Sequence, residues 1–364
     1  MEWTDYPRIA LVVLLVLTNV GLFVGMSSSD TAYGPHNAKW DGGTVLRDEM
    51  QAAGASPTIA RSPDEYVEVD QPAVGFVLAP TSSYSAQDSA RVRQFVSRGG
   101  TLVVAGEGRN TTNQLLSNLG VETRFNGSAL RDDQNNYRNA SLPRATNVSD
   151  HPLVSDVDAL TLNKGTVLDV PERETFGDTS DGPTVLVRTS PVAYLDRNQN
   201  QTLDDDERID SYPVAAVEAV GQGRVVVVSD ASIFTNAMLE QEGNAAFVGA
   251  LSENATTAMI DYSHRPPLPP MTYALLTIRD LPAVQVVLSL LVLGLVALWA
   301  KLPVIGLPET LESVVFPKQA RSSTGFHLDE RDVTAVLEER HPDWDPDRIE
   351  RVSQSIIRQR RDQD

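Results

Sequence analysis

The sequence predicts a three-layer α/β domain, built on a mostly parallel sheet with a β-rich insertion and flanked by two transmembrane helices. Three observations lead there. Two long apolar runs without charge lie toward either end of the 364-residue chain. Between them, residues 73–105 read as a buried strand, an amphipathic helix, a glycine stop and a second buried strand. That order is a βαβ unit, which requires parallel strands. Farther on, Arg224 to Ser229 reads RVVVVS, the strongest strand signal in the chain.

The first apolar run, Ile9 to Met26, carries no charge, and about 18 apolar residues approach the minimum that spans a bilayer. A cleaved signal peptide is the rival reading, but its apolar region usually runs about 7–15 residues to a small-residue cleavage site. The longer run here, with no A-x-A pattern after it, favours an uncleaved anchor. Leu281 to Ala300 is the second run, with Trp299 at one end and Pro282 near the other. An interfacial aromatic and a proline at a helix start suit a spanning helix. Arg8, Lys301, Lys318 and Arg321, set against Arg265 and Arg279, bias both termini weakly toward the cytoplasm. Six Asn-x-Ser/Thr sequons, at Asn110, Asn126, Asn139, Asn147, Asn200 and Asn254, all fall between the runs. Glycosylation there would place the loop outside. The expected order is a cytoplasmic N-terminus (1–8), a span (9–26), an extracytoplasmic domain (27–280, core about 40–255), a second span (281–300) and a cytoplasmic tail (301–364). That order predicts a two-pass cell-membrane protein with the membrane as its first partner.

Within the domain, residues 27–40 read as a polar stalk. A helix is expected from Asp41 to Gly54 and a short strand around Thr58. Ala73 to Ala79 is apolar at nearly every position, as in a strand buried on both faces. Ser85 and Asp88 resemble a capping box opening the next helix, whose apolar face is Val92, Phe95 and Val96. Gly99 and Gly100 stop it before the strand Thr101 to Ala105. A helix follows Gly106 to Gly108. Residues 124–150, rich in Asn and Arg, read as a loop excursion. Strands are expected at Thr184 to Thr189, Val192 to Leu195, Val214 to Val220 and Arg224 to Ser229, then a last helix from Gly243 to Ser252. In the tail, Asp329 to Arg340 and Pro346 to Arg361 have helical apolar spacing.

The charge balance narrows the partners. Forty-nine acidic residues against 30 basic ones leave a net charge of -19. Nucleic acid is excluded as the main partner, because phosphate binding needs clustered Lys and Arg. Lys occurs only at positions 39, 164, 301 and 318. An acidic, Lys-poor surface suits a halophile, since it stays hydrated in strong salt that also screens its self-repulsion. With no Cys in the chain, disulfides, thiolate metal sites and a Cys nucleophile are ruled out.

The strand, helix and SRGGTLVVAGEG run, together with GQGRVVVVSDASIFTN and GNAAFVGAL, resembles a family of membrane-anchored haloarchaeal proteins known only as a domain of unknown function. The likeness covers roughly residues 30–255 and extends to the flanking apolar runs. It implies a fold similar to class I glutamine amidotransferases, flavodoxin-like in layout, and to gliding-motility-type ABC transporter accessory proteins. It also implies envelope protein partners, including a MoxR-type AAA ATPase system, and no known reaction. The amidotransferase elbow needs a Cys, with a His base nearby. Here Gly106, Glu107 and Gly108 stand at the elbow, and His36, His151 and His264 read as surface or loop histidines.

Three candidate sites remain. Asp196, Asn198, Asn200, Thr202, Asp204 and Glu207 occupy positions 1, 3, 5, 7, 9 and 12 of a calcium loop, where oxygens surround a hard cation. Gln201 replaces the Gly at position 6, and an acidic hairpin loop is the alternative. Calcium is the one cofactor suggested. Gly106, Glu107, Gly108, Arg109 and Asn110 follow a buried strand, at the strand end where open α/β sheets bind ligands. Ser229, Asp230 and Ser232 also follow a strand, but without a placed His they read as a turn and helix cap. No catalytic constellation is assembled. The expected function is a non-catalytic envelope protein that scaffolds or senses. The alternatives are a solute- or glycan-binding module serving a transporter, and a hydrolase with a carboxylate pair.

Overall fold

The structure is a computed structural model that describes residues 31–106, 110–171, 182–265, 282–301, 330–341 and 344–361. The chain divides into two units, Met1–Leu288 and Ser289–Asp364.

In the first unit the strands are β1 (Ser56–Ala60), β2 (Ala73–Leu78), β3 (Thr101–Ala105), β4 (Arg124–Phe125), β5 (Ala129–Arg131), β6 (Arg144–Ala145), β7 (Asn147–Val148) and β8 (Leu160–Thr161). They continue with β9 (Leu168–Asp169), β10 (Thr184–Arg188), β11 (Ala193–Asp196), β12 (Ile209–Asp210), β13 (Pro213–Val220), β14 (Gly223–Val228) and β15 (Thr257–Asp261). Eight of them form one sheet in the order β1-β15-β2-β3-β14-β13-β10-β7. From β1 to β14 every pairing is parallel; from β14 to β7 every pairing is antiparallel.

Helices cover both faces of the parallel half. Thr44–Ala52 and Glu242–Ser252 pack Leu46, Met50, Phe247 and Val248 onto Val103, Val226, Val228 and Ile260. Ala86–Ser97 and Asn110–Leu119 pack Val92, Phe95, Leu115 and Leu116 onto Leu102, Val104, Val225 and Val227. Alternate residues of β14 thus enter opposite cores, which is why RVVVVS carries no polar alternation. Each such valine, fully removed from water, contributes about 1.5–3 kcal/mol. The Ser85 hydroxyl accepts from Asp88 N at 3.1 Å and caps the helix Ala86–Ser97. Its far end stops at Gly99, whose φ of +111° suits a residue without Cβ.

The predicted fold class is corrected here. The sheet is mixed rather than mostly parallel, because the β13–β14 hairpin turns the chain back and β10 and β7 add to it in antiparallel fashion. The β-rich part is not an appended insertion. It forms three further small sheets, β12-β11-β5, β4-β9 and β6-β8, and Leu130, Ala145, Leu160, Leu186 and Leu195 share one core with the helix-covered face. Residues 124–150, expected as a loop, supply β4 to β7. β15 was not anticipated, yet it lies inside the sheet between β1 and β2. The ordered core therefore runs past residue 255.

The two-span architecture is corrected as well. The first apolar run, 9–26, lies outside the described residues. The second forms the helix Pro282–Lys301. Among the described residues no helix is long and apolar enough to cross a membrane. The transmembrane, two-pass and external assignments are therefore set aside.

In the second unit, Glu330–Arg340 and Pro346–Arg361 are helical and pack against each other. His341 stacks on Trp344 with centroids 4.2 Å apart, and Arg348 lies over the same indole at 4.7 Å.

Candidate functional site

The twelve-residue loop joins β11 to β12, an antiparallel hairpin. It is folded inward on its own polar groups. Asp204 Oδ2 accepts from both Asn198 Nδ2 and Asn200 Nδ2, each at 2.7 Å. The Glu207 carboxylate reaches back across the loop, accepting from Arg197 N at 2.8 Å and Asp204 N at 3.3 Å. Gln201 N donates to Asp196 Oδ2 at 2.9 Å. The Thr202 hydroxyl donates to Asn200 Oδ1 at 2.9 Å. Asp196, Asn198, Asn200, Thr202, Asp204 and Glu207 are thus brought together in one hydrogen-bonded loop. Gln201 adopts φ +69°, the left-handed conformation for which calcium loops use Gly at this position. Asp196 is 1% exposed. Its Oδ1 is buried without a hydrogen-bond partner, and Arg131 Nε lies 3.7 Å from Oδ2. Among the described residues, no three His, Cys, Asp or Glu side chains are gathered closely enough to hold a metal by themselves.

The ends of the parallel strands hold a second cluster, which sequence reasoning missed. Asp261 closes β15 and is 5% exposed. Its Oδ2 accepts from Tyr66 and Tyr84 hydroxyls at 2.9 and 2.8 Å. Its Oδ1 accepts from Ser263 N and Oγ at 2.7 and 2.6 Å. Ser263 Oγ also lies 2.7 Å from His264 Nδ1, and His264 Nε2 is 3.9 Å from Asp88. Burial, then the Asp261 charge, hold both phenols well above their ordinary value of 10.0. Burial likewise lowers His264 from 6.5, against the opposing pull of Asp261 and Asp88. Arg265 covers the neighbouring strand end, donating to the carbonyls of Leu78, Ala79 and Ala32. Its guanidinium lies over Tyr33 at 4.8 Å. The signal was spread over five short segments, none of which forms a motif.

The other candidates separate. Glu107, Gly108 and Arg109 lie outside the described residues. Gly106 follows β3, where an added Cβ would meet Thr112 Oγ1 at 3.1 Å, and Asn110 opens the following helix. Asp230 accepts from Ser232 N and Oγ at 2.7 and 2.6 Å and from Asn163 N at 2.5 Å, so this trio is a cap. Ser229 is buried with its hydroxyl unpartnered. His36 and His264 are buried rather than superficial. His36 faces Arg47 at 3.4 Å, and His151 accepts from Leu153 N to cap a short turn. The sequon asparagines 110, 126, 139, 147, 200 and 254 are all exposed.

A family described as "Domain of unknown function (DUF4350)" matches residues 35–251. No curated protein matches the chain. Among solved structures, the mmIFT52 N-terminal domain is similar at 15% identity and a TM-score of 0.41, covering 56% of this chain and 85% of that one. The cytoplasmic protein STM1381 from Salmonella typhimurium LT2 follows at 13% identity and 0.36, covering 59% and 87%. The exo-beta-1,4-mannosidase Op5Man5 from Opitutaceae bacterium strain TAV5 is similar at 15% identity and 0.32; 58% of this chain aligns with 30% of that one. At these identities and TM-scores the likenesses carry no argument.

Proposed function

This chain belongs to the DUF4350 family, a domain of unknown function, and we propose that its α/β domain acts by holding partners, as a non-catalytic scaffolding or sensing module. The observation that supports this reading is how the buried acids are used. Asp261 has four donors from its own chain. Asp230 has three. Glu218 accepts from Glu122 N and Thr123 N, both at 2.7 Å. Asp132 accepts from Gln134 N, Asn135 N and Ser190 Oγ. A carboxylate engaged in this way fixes loops and offers little to a substrate, whereas a general acid or base must reach a reacting proton. The acidic, Lys-poor composition supports a high-salt setting. The resemblance of its motifs points to a MoxR-type AAA ATPase as the protein partner.

Two measurements test the reading together. The full chain is mixed with a MoxR-type ATPase in high salt and sized by sedimentation, where a stoichiometric complex is expected. The same preparation is assayed on chromogenic glycosides, esters and phosphates. Turnover above background that vanishes in Asp230→Asn or Asp261→Asn, with the fold intact, overturns the non-catalytic reading.

A further inference from the structure

We propose that the loop from Asp196 to Glu207 binds one calcium ion. The starting point is Asp196. A carboxylate oxygen that is buried with no hydrogen-bond partner is costly to keep, and Asp196 Oδ1 is in that state. The other oxygen of the same carboxylate accepts from Gln201 N in the middle of the loop, so the group is directed into it. Arg131 offers only a 3.7 Å approach to Oδ2. A cation inside the loop would supply what Oδ1 lacks.

The remaining groups suit a hard, oxygen-seeking ion. Asp204 and Glu207 bring two more carboxylates, and Asn198 and Asn200 bring amide oxygens at positions 3 and 5. Calcium loops add a main-chain carbonyl at position 7 and a carboxylate of both oxygens at position 12, which here are Thr202 and Glu207. Among the described residues Asp196, Asp204 and Glu207 are not gathered closely enough to hold a metal by themselves, so binding requires the loop to draw these carboxylates and the amide oxygens together around the ion. This mixed donor set excludes a soft metal, since the loop contains no sulfur or imidazole. For binding, Asn198 and Asn200 must turn oxygen rather than nitrogen toward the centre. Both side chains are exposed, and the turn gives up the bonds that Asn198 Oδ1 accepts from Asn200 N and that Asn200 Oδ1 accepts from Thr202 N and Oγ1. Magnesium is disfavoured because it demands a near-ideal octahedral shell and keeps several of its waters, whereas this loop offers a larger set of protein oxygens. The proposal goes beyond the non-catalytic reading and stands independently of it.

The test uses the full chain, freed of metal by chelation and titrated with calcium chloride alone in a calorimeter at fixed ionic strength. One ion should bind with a midpoint of roughly 10⁻⁴–10⁻³ M, the range of weak extracellular loops, and Tm should rise with calcium concentration. Magnesium chloride should give no comparable shift. Glu207→Gln should weaken binding more than about tenfold. If that variant does not fold, Asp204→Asn at a half-buried position serves in its place. Gln201→Gly relieves the positive φ and should fold and bind at least as well as the parent. No saturable heat up to about 10 mM, ten times the weak end of that range, overturns the proposal. So does an unchanged titration in a folded Glu207→Gln or Asp204→Asn variant, which would place any bound ion elsewhere on the acidic surface.

Discussion

Tyr84 and His264 lie face to face, their ring centroids 3.5 Å apart and their planes 21° from parallel. The stack seals His264 against the Asp261 cluster and leaves it 8% exposed. Burial lowers its folded pKa below 6.5, so between the folded and unfolded values the unfolded chain binds more protons. Stability then rises with pH. The contribution is whole above about pH 6.5 and is lost as pH falls through the lowered folded value. The urea midpoint of the full chain should therefore drop on acidification below 6.5, and His264→Gln should flatten that segment. Parallel curves for parent and variant would assign the drop to another group.

Removing one donor from Asp261 should be felt across the fold. Tyr66→Phe keeps the ring that packs edge-on against Phe95 at 5.3 Å and deletes only the hydroxyl. The loss should be about 1.5–3 kcal/mol, the range for hydrogen bonds to charged groups. Tyr84→Phe should cost a similar amount. Chemical denaturation of the double variant should show non-additive losses, because both hydroxyls share one oxygen.

Gly223 opens β14 where the hairpin passes the end of the helix Ala86–Ser97. A Cβ there would lie 2.2 Å from Gly100 O and 2.3 Å from Val96 O. Both are main-chain atoms, which cannot turn aside as a side chain can. Gly223→Ala should destabilise by about 1–3 kcal/mol, read as a lower thermal midpoint. An unchanged midpoint would mean that helix and hairpin separate freely.

A chain ending at residue 255 should not fold cooperatively. It would lack β15, leaving β1 without its sheet neighbour and the inner edge of β2 unpaired. Size exclusion should show aggregation of the shortened chain and a single species for the full chain. A sharp unfolding transition in the shortened chain would contradict the central place given to β15.

What was legible in the sequence follows from how each element is buried. β2, β3 and β14 emerge within a residue or two of their expected bounds, because strands enclosed on both faces read as unbroken apolar runs. The helix Ala86–Ser97 emerges for its cap and apolar face. β4 to β9 are two or three residues each, too short for any periodicity, so 124–150 read as a loop and β8 and β9 gave no strand signal. β15 is short and ends in Asp261, and only tertiary pairing reveals it. The calcium-loop pattern was visible because all its groups lie within twelve residues. The Asp261 cluster was not, because Tyr66 and Asp261 meet from 195 residues apart. The membrane reading came from apolar runs, an interfacial Trp299, flanking charges and sequon placement, whereas among the described residues no helix is long and apolar enough to cross a membrane.

The place of β15 between β1 and β2 also bears on the order of assembly. During synthesis, β1 and β2 emerge early, yet their common neighbour is among the last segments of the domain to appear. They cannot close on each other without occupying its slot. Pairings this distant in sequence are slow, since loop closure must precede any gain from contact. The nascent domain thus has two strand edges open at this slot until β15 is released, a period in which a chaperone or the chain's own net charge of -19 would guard against mispairing. Refolding should accordingly be limited by the docking of β15, and substitutions in Met259 or Ile260 should slow folding more than they speed unfolding.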